Sequence, residues 1–154
     1  MTPVDRAWLA GLLEGEGSFT TTRPQEVRIS LEMTDEDVVA RAATLMGTHY
    51  IPKPPRRDQP SHWKPQYKAC LSGRRAIDLM KELLPYMGER RSLRIGEITG
   101  DWFEARMFVC QTCSADFFRE RKGGQPPTSC SPTCQKTYSQ KYMAAWKAQR
   151  KAVA

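Results

Sequence analysis

The sequence predicts an α+β fold, in which helices cover one face of an antiparallel sheet, followed by a small cysteine-rich module. Three observations lead to this prediction. A helical stretch near the N-terminus ends in acids and glycines, apolar and polar residues alternate over Glu26 to Met33, and four cysteines form two close pairs near the C-terminus. Such alternation is typical of a strand with one face on a core and the other on solvent or a ligand.

Charge is distributed unevenly along the 154 residues, whose net charge is +7. Residues 1–104 carry 15 Lys/Arg and 15 Asp/Glu, whereas residues 105–154 carry 9 and 2. This predicts two modules with those boundaries and an anionic partner. No apolar run approaches the roughly 20 residues of a membrane span, and Met1 to Arg6 does not open a signal peptide. We therefore expect an intracellular, cytoplasmic protein without a membrane partner.

The first predicted helix includes Leu9 to Gly17, which reads LAGLLEGEG. Small residues at Ala7, Gly11 and Gly15 are four apart and share one helix face, where another backbone can approach closely. The other faces supply ordinary core contacts through a set of large apolar residues. These are Trp8, Leu9, Leu12 and Leu13.

The end of this helix is acidic, with Glu14 and Glu16 against the negative end of the helix dipole. A bound divalent cation would offset that repulsion. We expect Gly17 to end the helix in the left-handed conformation. On these features alone, an ordinary amphipathic helix with a glycine cap is the favoured interpretation.

The remaining elements follow from the same periodicities. Thr34 and Asp37 predict a capping box for the second helix, and Gly47 predicts its end. The predicted strands are Phe19 to Arg23, Glu26 to Met33, Tyr50 to Lys53 and Gln66 to Ser72. Two further helices are predicted over Arg74 to Leu84 and Glu89 to Trp102.

The segment Lys53 to Pro65 is basic, aromatic and rich in proline. Its notable side chains are Arg56, Arg57, His62, Trp63 and Lys64. A solvated loop is one interpretation. A stiff basic hairpin that enters a DNA groove is the other, and we favour it because guanidinium groups pair with guanine edges and phosphates.

The four cysteines are spaced as Cys110-x2-Cys113 and Cys130-x3-Cys134, with sixteen residues between the pairs. Two close pairs of thiolates suit tetrahedral zinc, and we predict one Zn²⁺ per chain. Two disulfides are the alternative, which an intracellular location disfavours.

The segment around the second cysteine pair resembles the second knuckle of small treble-clef or zinc-ribbon modules. Pro132 is suited to begin the helix that carries Cys134. Tyr138, Tyr142 and Trp146 recur along that helix, and we expect them to pack rather than to stack on bases. The module would present Arg119, Arg121 and Lys122 to DNA, while Cys70 is expected to be a free thiol.

The nine residues Leu9 to Gly17 resemble the signature of the LAGLIDADG homing endonucleases. They depart from it by Leu13 for Ile, by glutamate for both aspartates, and by Gly15 for Ala. The resemblance extends more weakly to about residue 104 and implies an αββαββα core with a saddle-shaped antiparallel sheet. Residues 18–154 contain no second copy of the motif, which implies a homodimer. The resemblance places its interface on Ala7, Trp8, Gly11, Leu12 and Gly15.

The resemblance also implies the residues of an active site. Glu16 and the Gly15 carbonyl would hold Mg²⁺ or another divalent cation. Arg90, with Arg91 beside it, matches the basic residue near the scissile phosphate, and Glu32 stands where many members carry a water-positioning glutamine. DNA contacts are expected from Arg23, Arg28, Ser30, Arg56, Arg57, His62, Trp63, Lys64 and Lys68.

The implied function is that of a site-specific DNA homing endonuclease of a mobile element. It would make a Mg²⁺-dependent staggered double-strand break in a long pseudo-palindromic target, as in intron homing, and the zinc module would extend the DNA contact. The alternative is a non-cutting protein of the same fold, either an intron maturase that binds RNA or a transcription regulator.

Overall fold

The structure, a computed structural model, describes residues 1–21, 26–54, 63–120 and 125–152. It divides into two compact units, Met1–Trp102 and Phe103–Ala154, which are described separately below. The different roles assigned above to residues 1–104 and 105–154 stay predictions.

The described residues of the first unit form four strands and four α-helices. Its elements are α1 (Pro3–Gly15), β1 (Gly17–Thr21), β2 (Val27–Met33), α2 (Glu36–Leu45), β3 (Tyr50–Lys53), β4 (Gln66–Ser72), α3 (Arg74–Leu83), a 3-10 turn (Leu84–Tyr86) and α4 (Glu89–Glu104). The strands form one antiparallel sheet in the order β1-β2-β4-β3. The α+β prediction and its order of elements are confirmed.

The alternation in β2 sets the two faces of the sheet. Val27, Ile29 and Leu31 are fully buried, because they point into the core. Arg28, Ser30 and Glu32 lie on the opposite face and remain partly exposed. We call this opposite face, with its neighbours on β1, β3 and β4, the open face.

Helices supply the other half of the core. Each contributes apolar side chains at helical spacing, so that one stripe is removed from water. The buried residues are Leu9, Ala10 and Leu13 of α1, Val39, Ala42 and Ala43 of α2, Ala76, Ile77, Leu79, Met80 and Leu83 of α3, and Ile95, Ile98 and Trp102 of α4.

Helix α1 begins and ends with distinct local devices. Thr2 caps it by accepting a hydrogen bond from the Asp5 N–H at 3.2 Å. At the other end Glu16 is the C-cap, with φ −108° and ψ −11°. The left-handed prediction for Gly17 is wrong, since Gly17 begins β1 and the described glycines with positive φ are Gly47 and Gly73. Glycine is needed there because an added Cβ would lie 2.5 Å from the Leu13 carbonyl oxygen.

Helix α2 begins one residue later than the capping-box prediction requires. Its N-cap is Asp35, which makes no side-chain capping hydrogen bond, so the pairing of Thr34 with Asp37 as a box is wrong. The helix ends as predicted before Gly47, whose φ of 66° is the left-handed conformation that glycine adopts freely.

The second unit contains a hairpin and a long helix. Strands β5 (Met107–Val109) and β6 (Asp116–Phe118) pair antiparallel, and α5 spans Pro132–Ala152, so the predicted start at Pro132 is confirmed. Tyr138 and Tyr142 stack with ring centroids 6.4 Å apart, which agrees with the packing prediction, but Tyr142 and Trp146 are 60% and 41% exposed and are not part of a core. Among the helices that the structure describes in both units, none is long and apolar enough to cross a bilayer.

Candidate metal centres and nucleic-acid interface

The C-terminal end of α1 offers oxygen ligands to a cation. Glu16 is exposed, and its carboxylate makes no hydrogen bond or ion pair with any described residue. Gly15 is also exposed, and a Cβ added there would meet nothing within 4 Å. Carboxylate and carbonyl oxygens are the ligands that Mg²⁺ prefers, so Glu16 and the Gly15 carbonyl fit a divalent cation.

The small-residue face of α1 is open in the single chain. Ala7, Gly11 and Gly15 are exposed, and nothing lies within 4 Å of a Cβ added at Gly11. Trp8 and Leu12 are half-buried beside them. The Trp8 ring already has a neighbour, because the Arg41 guanidinium lies 4.1 Å from its centroid. The predicted interface residues therefore lie together, with room for a second backbone along the glycines.

The start of α4 meets the end of α1 at Glu14. Arg91 donates from Nε and Nη2 to the Glu14 carbonyl oxygen at 3.2 and 3.1 Å. The Gly88 N–H donates to Glu14 Oε2 at 3.1 Å. Arg91 is thus engaged by protein atoms and also lies 5.7 Å from the Phe19 ring centroid. Arg90, which is exposed, is the arginine of this pair that faces solvent.

Glu32 lies on the open face between two lysines of other strands. Its Oε1 accepts from Lys53 Nζ, and its Oε2 lies 3.5 Å from Lys68 Nζ. Lys53 is the main cause of a lowered pKa for Glu32; burial opposes the shift and Lys68 adds to it. Sequence reasoning missed Lys53, although its place at the end of a predicted strand was a signal. A water-ordering role for Glu32 stays a prediction.

The rest of the open face is polar. Ser30 lies opposite Ser18 of β1 and Cys70 of β4 in the strand register. Arg28 donates from Nη2 to Glu26 Oε1 at 3.0 Å, which steadies its guanidinium at the edge of this face. The open face therefore combines small hydroxyl side chains with two basic residues, Arg28 and Lys68, each of which already has a carboxylate partner.

The other predicted DNA contacts are only partly covered by the structure. Trp63 is 53% exposed, and Lys64 and Arg119 are exposed too. Six predicted contact residues lie outside the described residues. They are Arg23, Arg56, Arg57, His62, Arg121 and Lys122.

The second unit brings its four cysteines into one cluster. The Sγ atoms of Cys110, Cys113, Cys130 and Cys134 all lie within 4.8 Å of one another. Two of the separations are 3.6 Å, from Cys113 to Cys130, and 3.7 Å, from Cys130 to Cys134. Tetrahedral zinc with Zn–S bonds of about 2.3 Å separates its sulfurs by about 3.8 Å. The thiols are free and fit one Zn²⁺.

Local structure holds the first cysteine pair in place. The chain turns after Cys110, whose carbonyl accepts from the Ser114 N–H at 2.8 Å, and Ser114 itself has φ 58°. The N–H of Cys130 points at Cys110 Sγ, 3.5 Å away. Backbone N–H groups of Cys113 and Cys130 lower the pKa of Cys110 to about 6. They favour the thiolate, which is the form that binds metal.

The second cysteine pair is held by the start of α5. Ser131 accepts from the Cys134 N–H at 3.2 Å, and Thr112 donates to the Cys134 carbonyl at 3.0 Å. These bonds join the helix to the turn of the first pair. Sulfur neighbours, Cys113 first, raise the pKa of Cys130 to about 12. A hairpin whose turn carries one pair, and a second pair in which Cys130 precedes α5 and Cys134 lies in its first turn, are compatible with the predicted zinc module.

Comparison with known proteins gave matches among solved structures. The chain is similar to the homing endonuclease I-CvuI in complex with its target (Sro1.3) in the presence of 2 mM Ca, with a TM-score of 0.46, 18% identity, and coverage of 67% of this chain and 76% of that chain. It is also similar to I-CvuI with the I-CreI target (C1221) in 2 mM Mg, where the DNA is not cleaved, with a TM-score of 0.42, 16% identity and the same coverage. No model of a protein family and no curated protein matches the chain.

Proposed function

We propose that this protein is a site-specific DNA endonuclease of the LAGLIDADG type, which cuts both strands of a long pseudo-palindromic target. The observation that carries the proposal is the end of α1. There Glu16 is exposed, its carboxylate pairs with none of the residues that the structure describes, and it directly follows a helix face of small, exposed residues. A free acid at the negative end of a helix dipole is unfavourable unless a cation binds it.

A homodimer is part of the proposal, because one chain supplies too few ligands. Among the described residues, the cysteines form the only group of three or more metal-ligating side chains, so Glu16 stands alone in its chain. Two copies packed along Ala7, Gly11 and Gly15 would bring two Glu16 carboxylates together. A two-fold axis also matches a pseudo-palindromic target, since each copy reads one half-site.

In the proposed reaction, metal binding and stabilisation of the phosphate charge are carried by different residues. Glu16 and the Gly15 carbonyl hold Mg²⁺ or another divalent cation, which when bound supplies Lewis-acid activation at the phosphate. Arg90, exposed in the first turn of α4, stabilises the negative charge that grows on the phosphate as water attacks. One phosphodiester in each strand is hydrolysed, and the cut is staggered.

DNA binding is assigned to both units. The open face, through Arg28, Ser30 and Lys68, faces the duplex and combines phosphate contacts with base contacts. In the second unit, one Zn²⁺ held by the four cysteines stabilises a segment that has little apolar core of its own. That module adds phosphate contacts outside the central site.

A second candidate is a non-cutting nucleic-acid-binding protein, either an RNA maturase or a transcription regulator. The observation that favours it is Glu32. Its carboxylate is held by Lys53 and Lys68, so it places an ionised acid on the face that would meet the phosphates.

The decisive experiment incubates the purified protein with Mg²⁺ and a DNA substrate. This DNA carries the two sequences that flank the protein's own gene, joined directly to each other without the gene. We expect a double-strand cut, and we expect Glu16→Gln to slow it by at least about 100-fold, because metal-based charge stabilisation contributes several kcal/mol. Glu97→Gln is the matched control, since Glu97 is an exposed glutamate of α4 that pairs with Arg94.

One result would contradict the enzyme and favour the second candidate, namely sequence-specific binding of the locus with no cut at any Mg²⁺ concentration. Cleavage that Glu16→Gln leaves unchanged would instead contradict the role proposed for Glu16.

A further inference from the structure

The last turn of α1 and the start of α4 are joined at Glu14, whose backbone carbonyl and side-chain carboxylate both accept hydrogen bonds from the α4 side. The Glu14 carbonyl accepts two hydrogen bonds from the Arg91 guanidinium, and the Glu14 carboxylate accepts one from the Gly88 N–H. The approach is close, since a Cβ added at Gly88 would lie 3.3 Å from Glu14 Oε1. We call the three residues Glu14, Gly88 and Arg91 the helix clamp.

Each half of the clamp satisfies a helix end. The last carbonyls of a helix lack intrahelical partners and carry the negative end of its dipole, and the planar guanidinium of Arg91 binds one of them through two donors. The first N–H groups of a helix likewise lack partners, and the N–H of Gly88, just before α4, meets a carboxylate. Two bonds from one planar group also restrict the direction of the carbonyl that accepts them.

The clamp lies next to the residues that carry the proposed chemistry. Glu14 directly precedes Gly15 and Glu16, and Arg91 directly follows Arg90. Fixing the Glu14 peptide therefore fixes the start of the segment that offers the cation its oxygens. The same contact fixes the helix turn that presents Arg90.

We propose that Glu14 and Arg91 are positioning residues, which hold Gly15 and Glu16 in the geometry that binds the divalent cation and hold Arg90 at a set place beside them. This inference rests on the proposed function. It assigns Arg91 a role distinct from that of Arg90, because Arg91 acts through the end of α1 and does not touch the phosphate.

The test compares Arg91→Met, Arg91→Lys and Arg94→Met in the full-length, zinc-loaded protein. Methionine removes both hydrogen bonds but keeps much of the length, and lysine keeps the charge without the two-donor geometry. Arg94→Met is the control, because Arg94 is one turn further along α4 and, among the residues that the structure describes, pairs only with Glu97 on the same helix, at 3.0 Å.

Mn²⁺ binding to the protein on its DNA target, followed by electron paramagnetic resonance, is the first readout and does not depend on cleavage. We expect Arg91→Met to weaken Mn²⁺ binding by about tenfold or more, as loss of an outer-shell partner does at metal sites. Arg91→Lys should lie between Arg91→Met and the wild type. The Mg²⁺ concentration that gives half the maximal single-turnover rate should rise by a similar factor, while DNA affinity without metal stays unchanged.

Unchanged Mn²⁺ affinity in Arg91→Met, with the wild type binding Mn²⁺ and cutting DNA, would overturn the clamp and leave the proposed function standing. A wild type that binds no Mn²⁺ and does not cut would instead overturn the proposed function, and the clamp with it. If Arg91→Met fails to fold, Glu14→Gln replaces it, since this change keeps the shape and weakens only the acceptor for Gly88. A Mn²⁺ affinity equal to that of the wild type in Glu14→Gln would likewise overturn the clamp.

Discussion

Glu32 shows how one residue can change the electrostatics of a surface. It lies on the open face and is bound by Lys53 and Lys68, so that its one negative charge offsets part of their two positive charges. The lowered pKa has a direct consequence for stability. These ion pairs stabilise the fold above the usual pKa of a glutamate, and their contribution is lost as the pH falls through the lowered value.

We predict that Glu32→Gln strengthens nonspecific DNA binding and steepens its salt dependence. The reason is that Lys53 and Lys68 would no longer be paired with a carboxylate, and each added phosphate contact raises the slope of log K against log salt by about 0.9. Fluorescence anisotropy over a range of salt concentrations measures this, with Glu97→Gln as the control. A slope equal to that of the wild type would show that these lysines do not face DNA.

At the scale of one element, Gly11 within α1 and Gly17 just after it are explained by two different features of the structure. Gly17 is buried, and an added Cβ would lie 2.5 Å from the Leu13 carbonyl oxygen. Gly11 is exposed, and an added Cβ would meet nothing within 4 Å of it. Gly17 is therefore required by the fold of the chain, whereas nothing in the described part of the chain requires glycine at position 11, where the proposed dimer would use the free space.

We expect Gly17→Ala to lower the free energy of unfolding by about 1–3 kcal/mol through overpacking. Gly11→Val should instead convert the dimer to a monomer, because its branched side chain occupies the space of the second backbone. Sedimentation velocity and thermal unfolding together separate the two effects. Gly96→Val is the matched control, at an exposed glycine of α4 that likewise has nothing within 4 Å. A Gly11→Val variant that still sediments as a dimer would refute the proposed interface.

At the scale of the whole molecule, the net positive charge and the four clustered cysteines belong to the C-terminal third of the chain. Residues 105–154 carry 9 Lys/Arg and 2 Asp/Glu, while residues 1–104 are balanced at 15 and 15. The first module therefore gains no net attraction to DNA from its charge count. Long-range attraction to the phosphates should come mainly from the second module.

We predict one Zn²⁺ per chain, and we predict that a chain ending after Glu104 binds DNA more weakly with a flatter salt dependence. The slope falls because phosphate contacts are lost, at about 0.9 for each. Cleavage should persist at high protein concentration, since Glu16 is in the first module.

Metal analysis by mass spectrometry checks the predicted zinc content. Cys113→Ser is expected to lose the zinc, and Cys70→Ser, outside the cluster, is expected to keep it.

An unchanged footprint and salt slope in the shortened chain would show that the second module does not contact DNA. In that case its basic helix would serve structure or another partner.

The sequence by itself determined the parts of this protein that depend on local periodicity. Alternation over Val27 to Met33 gave the central strand and its two faces, and the bounds of β3 and β4 followed from the same rule. Gly47 marked the end of α2, and the cysteine spacing marked a cluster that the structure brings within 4.8 Å. The strands and the helix end are each determined by residues within the same short segment, and the cysteine cluster follows from a spacing that suits zinc geometry.

Only the tertiary structure decided what depends on residues that are distant in the sequence. The need for glycine at position 17 comes from the path of the chain past the Leu13 carbonyl, and the pairing of Glu32 with two lysines comes from the strand order β2-β4-β3. Arg91 reaches Glu14 across 77 positions of sequence. Periodicity reports which side chains are removed from water, but it contains no information on which distant groups then meet, such as Glu32 with its two lysines and Arg91 with the Glu14 carbonyl.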